Sequence, residues 1–365
     1  MPAIIKQFFY KSHEMTLSDP RFISLNQWLN CYFSDDVTPI LISGDASFRR
    51  YFRVFAHDTS YIIADSPPAL VPIAPFIALS SAYAAAGLTV PKVIASDADQ
   101  GFMLLSDLGD TQLLSVLTDD NVADYYCRAL ALLPQVATVV ESQDPVSGIT
   151  QPLPLYDEAF VRRELGIFTE WLLARHLQLE LGDEERTLVD ESFDLLVKNA
   201  LAQPKVGMHR DFHSRNLMLK DGGLCVIDFQ DAVLGPVTYD AVSLLRDCYI
   251  RWPQAMVLEL IQQHYQQVLE SGHLPEGTSF RQYQSWFDLM GLQRHIKAAG
   301  IFARLYYRDN KPAYMADIPL TLAYIVDIAR MYPELAPFAA WVESRVIPAF
   351  NLPLKQQDKQ PGSSR

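Results

Sequence analysis

Met208-His-Arg-Asp-Phe-His-Ser-Arg-Asn-Leu-Met218, followed shortly by Leu224-Cys-Val-Ile-Asp-Phe-Gln-Asp231, is the stretch on which the reading of this chain turns. His209-Arg210-Asp211 precedes Asn216 by the spacing H-R-D-x-x-x-x-N, and Asp228 closes an apolar run. Between the two segments Asp221-Gly222-Gly223 supplies a turn. A short hairpin over this turn would bring positions 211, 216 and 228 together.

These residue types suit phosphoryl transfer. A carboxylate, here Asp211, orients an acceptor hydroxyl and takes its proton. ATP brings several negative charges, and magnesium must bridge its phosphates. Magnesium prefers oxygen ligands, so the Asp228 carboxylate and the Asn216 amide oxygen are the candidate metal ligands. The plain alternative is a solvated loop holding these residues by accident. The turn and the apolar strand downstream weigh against it.

Upstream, short β-branched and aromatic runs predict strands at 39–43, 51–55, 61–64, 90–95 and 101–105. Pro75 suits the first turn of a helix over 76–86 that Gly87 ends. Asp19-Pro20 is placed to open a helix through Phe22, Leu25, Trp28 and Leu29. After Gly109 helical periodicity takes over, at 119–140, 155–181, 184–201, 254–270, 279–307 and 318–331. The order predicts an α+β chain of two lobes. Residues 1–21 form an N-terminal extension, 22–106 a small β-rich N-lobe with one helix, 107–354 a large, mainly helical C-lobe, and 355–365 a disordered tail.

Composition bounds the function. The 365 residues are 49% hydrophobic and 20% charged, which excludes a wholly disordered chain. A net charge of −13 disfavours general binding to nucleic acid. Cys31, Cys127, Cys225 and Cys248 are too widely spaced for a zinc site, and they read as reduced thiols. Ser66 to Pro91 carries no charge, but its prolines prevent a membrane-spanning helix. The N-terminus lacks the apolar run of a signal peptide. The expectation is a cytoplasmic protein with no membrane partner and no obligate protein partner.

On the His209–Asp231 motif the chain resembles the aminoglycoside phosphotransferase and choline kinase superfamily, with its protein-kinase-like fold, over residues 22–354. Within it, Gly44–Val54, Ile227–Pro236, Val242–Asp247, Gln293–Lys297 and Gly300–Arg304 are similar to the bacterial cell-wall amino-sugar kinases. Those enzymes phosphorylate N-acetylmuramate and N-acetylglucosamine at the anomeric hydroxyl in peptidoglycan recycling. The resemblance implies ATP and Mg2+ as cofactors, Asp211 as catalytic base, and Asn216 and Asp228 at the metal. It implies a phosphate loop at 44–49, with Gly44, Ala46, Ser47 and Arg49 against ATP. It also implies a connector, Ser106–Gly109, whose Asp107 and Leu108 backbone reads the adenine edge. Asp240 matches a buried aspartate that steadies the catalytic loop.

One departure stands out. Most members of the superfamily place a lysine on the third strand to hold phosphates, yet Tyr61-Ile-Ile-Ala-Asp-Ser-Pro-Pro68 contains none. Arg49, Arg50 and Arg53 are the nearest replacements, unless they form a solvated strand edge. The lactyl carboxylate of N-acetylmuramate calls for a forked cation. Arg215, Arg246, Arg294, His295 and Arg304 are candidates, each with a structural alternative. His213 and Gln230 are placed to touch a sugar. Two other readings remain: a different small acceptor such as an aminoglycoside, choline or homoserine, or a kinase-like module that senses ATP or a sugar without catalysis.

Overall fold

The computed structural model describes residues 19–34, 37–42 and 49–351. Its described residues divide into two compact units. One comprises those of Met1–Leu155 with Val206–Leu234, and the other those of Tyr156–Lys205 with Gly235–Arg365.

The first unit is built on an antiparallel five-stranded sheet in the order β1-β2-β3-β5-β4. The strands are β1 (Ile40–Ile42), β2 (Arg50–Ala56), β3 (Thr59–Asp65), β4 (Val93–Asp97) and β5 (Phe102–Ser106). Alternation orients β2: Phe52 and Val54 are fully buried and Phe55 is exposed. The inner face receives helix α1 (Pro20–Leu29), whose Phe22, Leu25, Trp28 and Leu29 pack on Phe52, Val54, Ile63, Phe102 and Leu104. Asp19 caps α1 by accepting from the Arg21 N–H at 2.9 Å, and Pro20 occupies the first turn.

Helix α2 (Ala74–Ala85) starts at Pro75 and stops before Gly87 at φ +89°, as its sequence predicts. The expected helix over 119–140 is instead two, α3 (Val122–Leu130) and α4 (Leu133–Thr138). Pro134 has no N–H to offer the Leu130 carbonyl, so the ladder breaks there. A small hairpin, β6 (Glu141–Gln143) and β7 (Thr150–Pro152), follows and carries no sequence signal strong enough to announce it. After β8 (Lys205–Met208), the hairpin of β9 (Leu217–Lys220) and β10 (Gly223–Val226) pairs Lys220 with Gly223. Its two turn residues, Asp221 and Gly222, have φ +50° and +77°, the signs a type I′ turn requires.

The second unit is helical: α5 (Glu158–Ile167), α6 (Asp183–Ala202), α7 (Tyr239–Leu245), α8 (Gln254–Glu270), α9 (Phe280–Asp309) and α10 (Ile318–Ala329), followed by shorter helical segments to Asn351. Helix α9 is its axis, buried at every position from Phe287 to Gly300. The pattern expected over 155–181 changes character at Phe168, where α5 widens into a π-helix to His176. The change coincides with a close approach of α9. A Cβ on Gly300 would sit 2.6 Å from the carbonyl carbon and oxygen of Ile167 and from the Phe168 nitrogen. Among the described residues no helix is long and apolar enough to cross a membrane.

Candidate active site

The His209–Asp231 segment lies wholly in the first unit, on the loops around the β9–β10 hairpin. Asn216 joins the three positions that the sequence grouped. Its side-chain amide donates to the Asp211 carbonyl at 3.0 Å and to Asp228 Oδ2 at 3.3 Å. The Ile227 N–H donates to the Asn216 carbonyl at 3.1 Å. The Gln230 amide donates to Asp228 Oδ1 at 2.7 Å, so both oxygens of that carboxylate are held by amide groups. The Gln230 carbonyl oxygen is buried without a hydrogen-bond partner.

His209 is the internal brace. Burial pushes its imidazole down to about 4, against the opposing pull of the Asp211 charge. The neutral ring matches its partners: Nδ1 accepts the Asp211 N–H at 3.3 Å, so Nε2 carries the proton and donates to the Ile227 carbonyl at 3.0 Å. One ring thereby spans the chain beside Asp211 and the chain beside Asp228. Arg210 and Asp228 sit at φ +78° and +66°, uncommon for residues with a Cβ and costing about 1–3 kcal/mol each. Phe229 is fully buried against α2, 4.9 Å from the Phe76 ring and 5.4 Å from the Tyr83 ring.

The Ser106–Gly109 connector is clamped from two strands. Arg53 of β2 pairs with Asp107, Nε to Oδ2 at 2.6 Å, and with Asp110 at 2.8 Å. Burial works to raise the Asp107 carboxyl, but the Arg53 hydrogen bonds outweigh it and hold the group below the usual carboxylate range. Lys220 of β9 donates to the Asp107 carbonyl at 2.6 Å. Leu108 packs with Met218 and Cys225, and Ile227 lies against them, making a small apolar cluster apart from the main core.

Residues 38–276 match the phosphotransferase enzyme family, well over half of the chain. The chain belongs to this family. It is 41% identical to the N-acetylmuramate/N-acetylglucosamine kinase of Pseudomonas aeruginosa over 329 residues, 87% of this chain and 95% of that protein. It is equally identical to the enzyme of the same name from Neisseria meningitidis over 323 residues, 88% of this chain and 94% of the relative. Among solved structures, a Plasmodium vivax ethanolamine kinase superposes with TM-score 0.60 at 12% identity, covering 83% of this chain and 86% of its own. The ADP-bound aminoglycoside phosphotransferase APH(2'')-Ib superposes with TM-score 0.55 at 13% identity, covering 85% and 99%. At these identities the likeness is one of fold, and that fold is protein-kinase-like.

The phosphotransferase's other sequence-predicted residues separate. Gly44, Ala46 and Ser47 lie outside the described residues. Arg49 is only 4% exposed, so it is no solvated edge. Its Nε donates to the Ser66 hydroxyl at 2.7 Å, and its guanidinium lies 5.4 Å over the Phe76 ring. Arg50 is bound to Asp65 and Asp19, and β3 holds no lysine. His213 is buried and donates its N–H to the Asp211 carbonyl at 3.0 Å, while Arg215 is half-buried on the same loop. Arg246 and Arg294 lie in the helical unit, both buried, with Arg246 ion-paired to Asp288. Asp240 is buried near the start of α7. Sequence reasoning had not singled out Lys220, nor Met218 and Ile227 as packing partners of the connector. Their signal is tertiary, since each meets residues more than a hundred positions away.

Proposed function

We propose that this phosphotransferase moves the γ-phosphoryl group of ATP to the anomeric hydroxyl of N-acetylmuramate and N-acetylglucosamine. The observation that carries the acceptor is the 41% identity, over nearly the full length of both chains, to kinases named for those two sugars. The site geometry supports the chemistry. Asp211 is partly exposed on a loop whose backbone is fixed by His209 and Asn216, as a base that must meet a substrate hydroxyl requires.

Asp211 orients the sugar hydroxyl and accepts its proton as the oxygen–phosphorus bond forms and the bond to the leaving ADP breaks. An anomeric hydroxyl is more acidic than an ordinary alcohol, so a carboxylate is an adequate base. The Asn216 amide oxygen and the Asp228 carboxylate would hold a magnesium ion that completes its shell on phosphates and water, since both are hard oxygen donors and the Asn216 and Gln230 amides fix the direction of Asp228. The ion would neutralise charge on the phosphates. In the absence of a third-strand lysine, Arg49, buried beside Phe76, is the cation assigned to the phosphates in this reading. The connector and the Leu108–Met218–Ile227 cluster supply a polar edge and an apolar face for adenine. The proposed setting is the cytoplasm, in salvage of cell-wall sugars.

ADP release with Mg-ATP tests the reading across N-acetylmuramate, N-acetylglucosamine, glucose, choline, homoserine and kanamycin, with phosphorus NMR locating the phosphate. Turnover confined to the amino sugars is expected. Turnover on kanamycin or choline alone would move the acceptor class. ATP binding with no turnover on any acceptor would favour a sensing module.

A further inference from the structure

In protein kinases, whose fold this chain resembles, the third-strand lysine that holds nucleotide phosphates is itself held by a glutamate on the helix that follows. Both halves of that ion pair are missing here. β3 contains no lysine, and α2 reads Ala-Pro-Phe-Ile-Ala-Leu-Ser-Ser-Ala-Tyr-Ala-Ala, without a charged residue.

What α2 presents instead is aromatic. Phe76 and Tyr83 stand two helical turns apart and form its buried face with Leu79 and Ser80. The Arg49 guanidinium lies over the Phe76 ring, 5.4 Å from the centroid, within the range of a cation–π contact. The Phe229 ring lies 4.9 Å from that of Phe76 and stacks on Tyr83 at 5.4 Å. Tyr83 in turn meets the His209 ring edge to face at 6.1 Å. A row of contacts thus runs from Arg49 through Phe76 to Phe229, the residue directly after Asp228, and all its members belong to the first unit.

The sheet supplies further contacts to Arg49. Its Nε donates to the Ser66 hydroxyl at 2.7 Å, just beyond β3, and one terminal nitrogen reaches the Tyr51 hydroxyl at 3.4 Å. Neither hydroxyl nor the Phe76 ring carries a net charge. Arg50 and Arg53, one and four positions on, are by contrast each bound by two carboxylates.

We infer that Phe76 is the positioning residue for the phosphate-binding cation: its ring face does for Arg49 what a helix carboxylate does for a strand lysine, and through Phe229 it keeps Arg49 in step with Asp228. The inference rests on the assignment of Arg49 to the phosphates. The face of an aromatic ring attracts a cation through its quadrupole. It therefore orients the guanidinium without adding a negative charge that the nucleotide phosphates would meet. Phe76 itself touches neither phosphate nor metal, and acts through Arg49 alone.

Titration calorimetry of the full chain with magnesium, comparing ATP with adenosine, tests this without reference to the acceptor. Phe76→Leu should weaken ATP binding about three- to tenfold, the worth of one cation–π contact, and adenosine binding less than twofold. A trifluorinated ring at position 76 keeps nearly the same shape but loses the negative face, and should give the same selective loss in an intact fold. Arg49→Gln should weaken ATP at least as much. In that background Phe76→Leu should cost nothing further, since the ring has no cation left to hold. Unchanged ATP affinity in both Phe76 variants, equal losses of ATP and adenosine with the fluorinated ring, or losses that add in the double variant would overturn the inference while leaving Arg49 at the phosphates. Unchanged ATP affinity in Arg49→Gln would instead remove Arg49 from the phosphates, and the role of Phe76 with it.

Discussion

The Lys220 ammonium donates to the Asp107 carbonyl at 2.6 Å across 113 positions of chain, so the end of β9 holds the connector that Arg53 grips from β2. Lys220→Met keeps the length of the side chain and removes the donor. Losing one hydrogen bond of this kind should raise the KM for ATP about three- to tenfold, with kcat nearly unchanged. Kinetics with ATP as the varied substrate check it. An unaltered KM would mean that the connector is set without Lys220.

Asp211→Asn retains shape and leaves untouched the backbone bonds from His209 and Asn216. The proton acceptor is lost. Turnover should fall by about 10²- to 10⁴-fold, while calorimetric ATP affinity stays within about twofold. Turnover at the wild-type rate would remove Asp211 from the chemistry.

Gln230 holds Asp228 through its side-chain amide. Without its 2.7 Å hydrogen bond, Asp228 Oδ1 loses a donor that fixes its direction. Gln230→Met should raise the magnesium concentration for half-maximal activity several-fold and leave the saturated rate largely intact. A magnesium titration of ADP release reads both quantities, and an unshifted midpoint would count against the clamp.

Helix α9 and the start of the π-helix meet at Gly300, where even one methyl has no room. Gly300→Ala should destabilise the fold by about 1–3 kcal/mol through overpacking, a loss of several degrees in melting temperature. Differential scanning calorimetry measures it directly. A melting point equal to the wild type would show that the helices part without cost.

Acid should weaken the fold before the carboxylates titrate. Burial lowers the imidazoles of His209, to about 4, and His264, to about 3, and also lowers those of His176 and His295. The unfolded chain protonates these histidines near 6.5, so between that pH and the folded values it binds more protons than the native state. Stability therefore falls as pH drops from about 6.5 toward 4. Melting temperatures at half-unit steps from pH 7.5 to 4.5 should decline steadily below about 6.5. A flat profile would mean that these rings are hydrated.

Much of the first unit was legible because its signals are local. The strand alternation around Phe52 and Val54, Pro75 and Gly87 at the ends of α2, and the Asp221-Gly222 turn all act through neighbouring residues. The shared setting of positions 211, 216 and 228 followed from one hairpin. The break after Leu130 was missed although Pro134 marks it, because apolar periodicity runs on through the interruption. The π-helix at Phe168 was not legible, since its neighbour is Gly300, far along the chain.

The sequence by itself determined the His209–Asp231 motif, the hairpin that closes it, and the kinase-like order of sheet and helices. Those features depend on backbone preferences and on residues within about twenty positions of one another. Only the tertiary structure decided which arginine does what. Arg50 is bound to Asp65, Arg53 to Asp107, Arg246 to Asp288, and Arg49 lies buried over Phe76. A charge is neutralised by whatever the fold brings within a few ångströms, and that proximity is written in packing between distant elements rather than in any local run of residues.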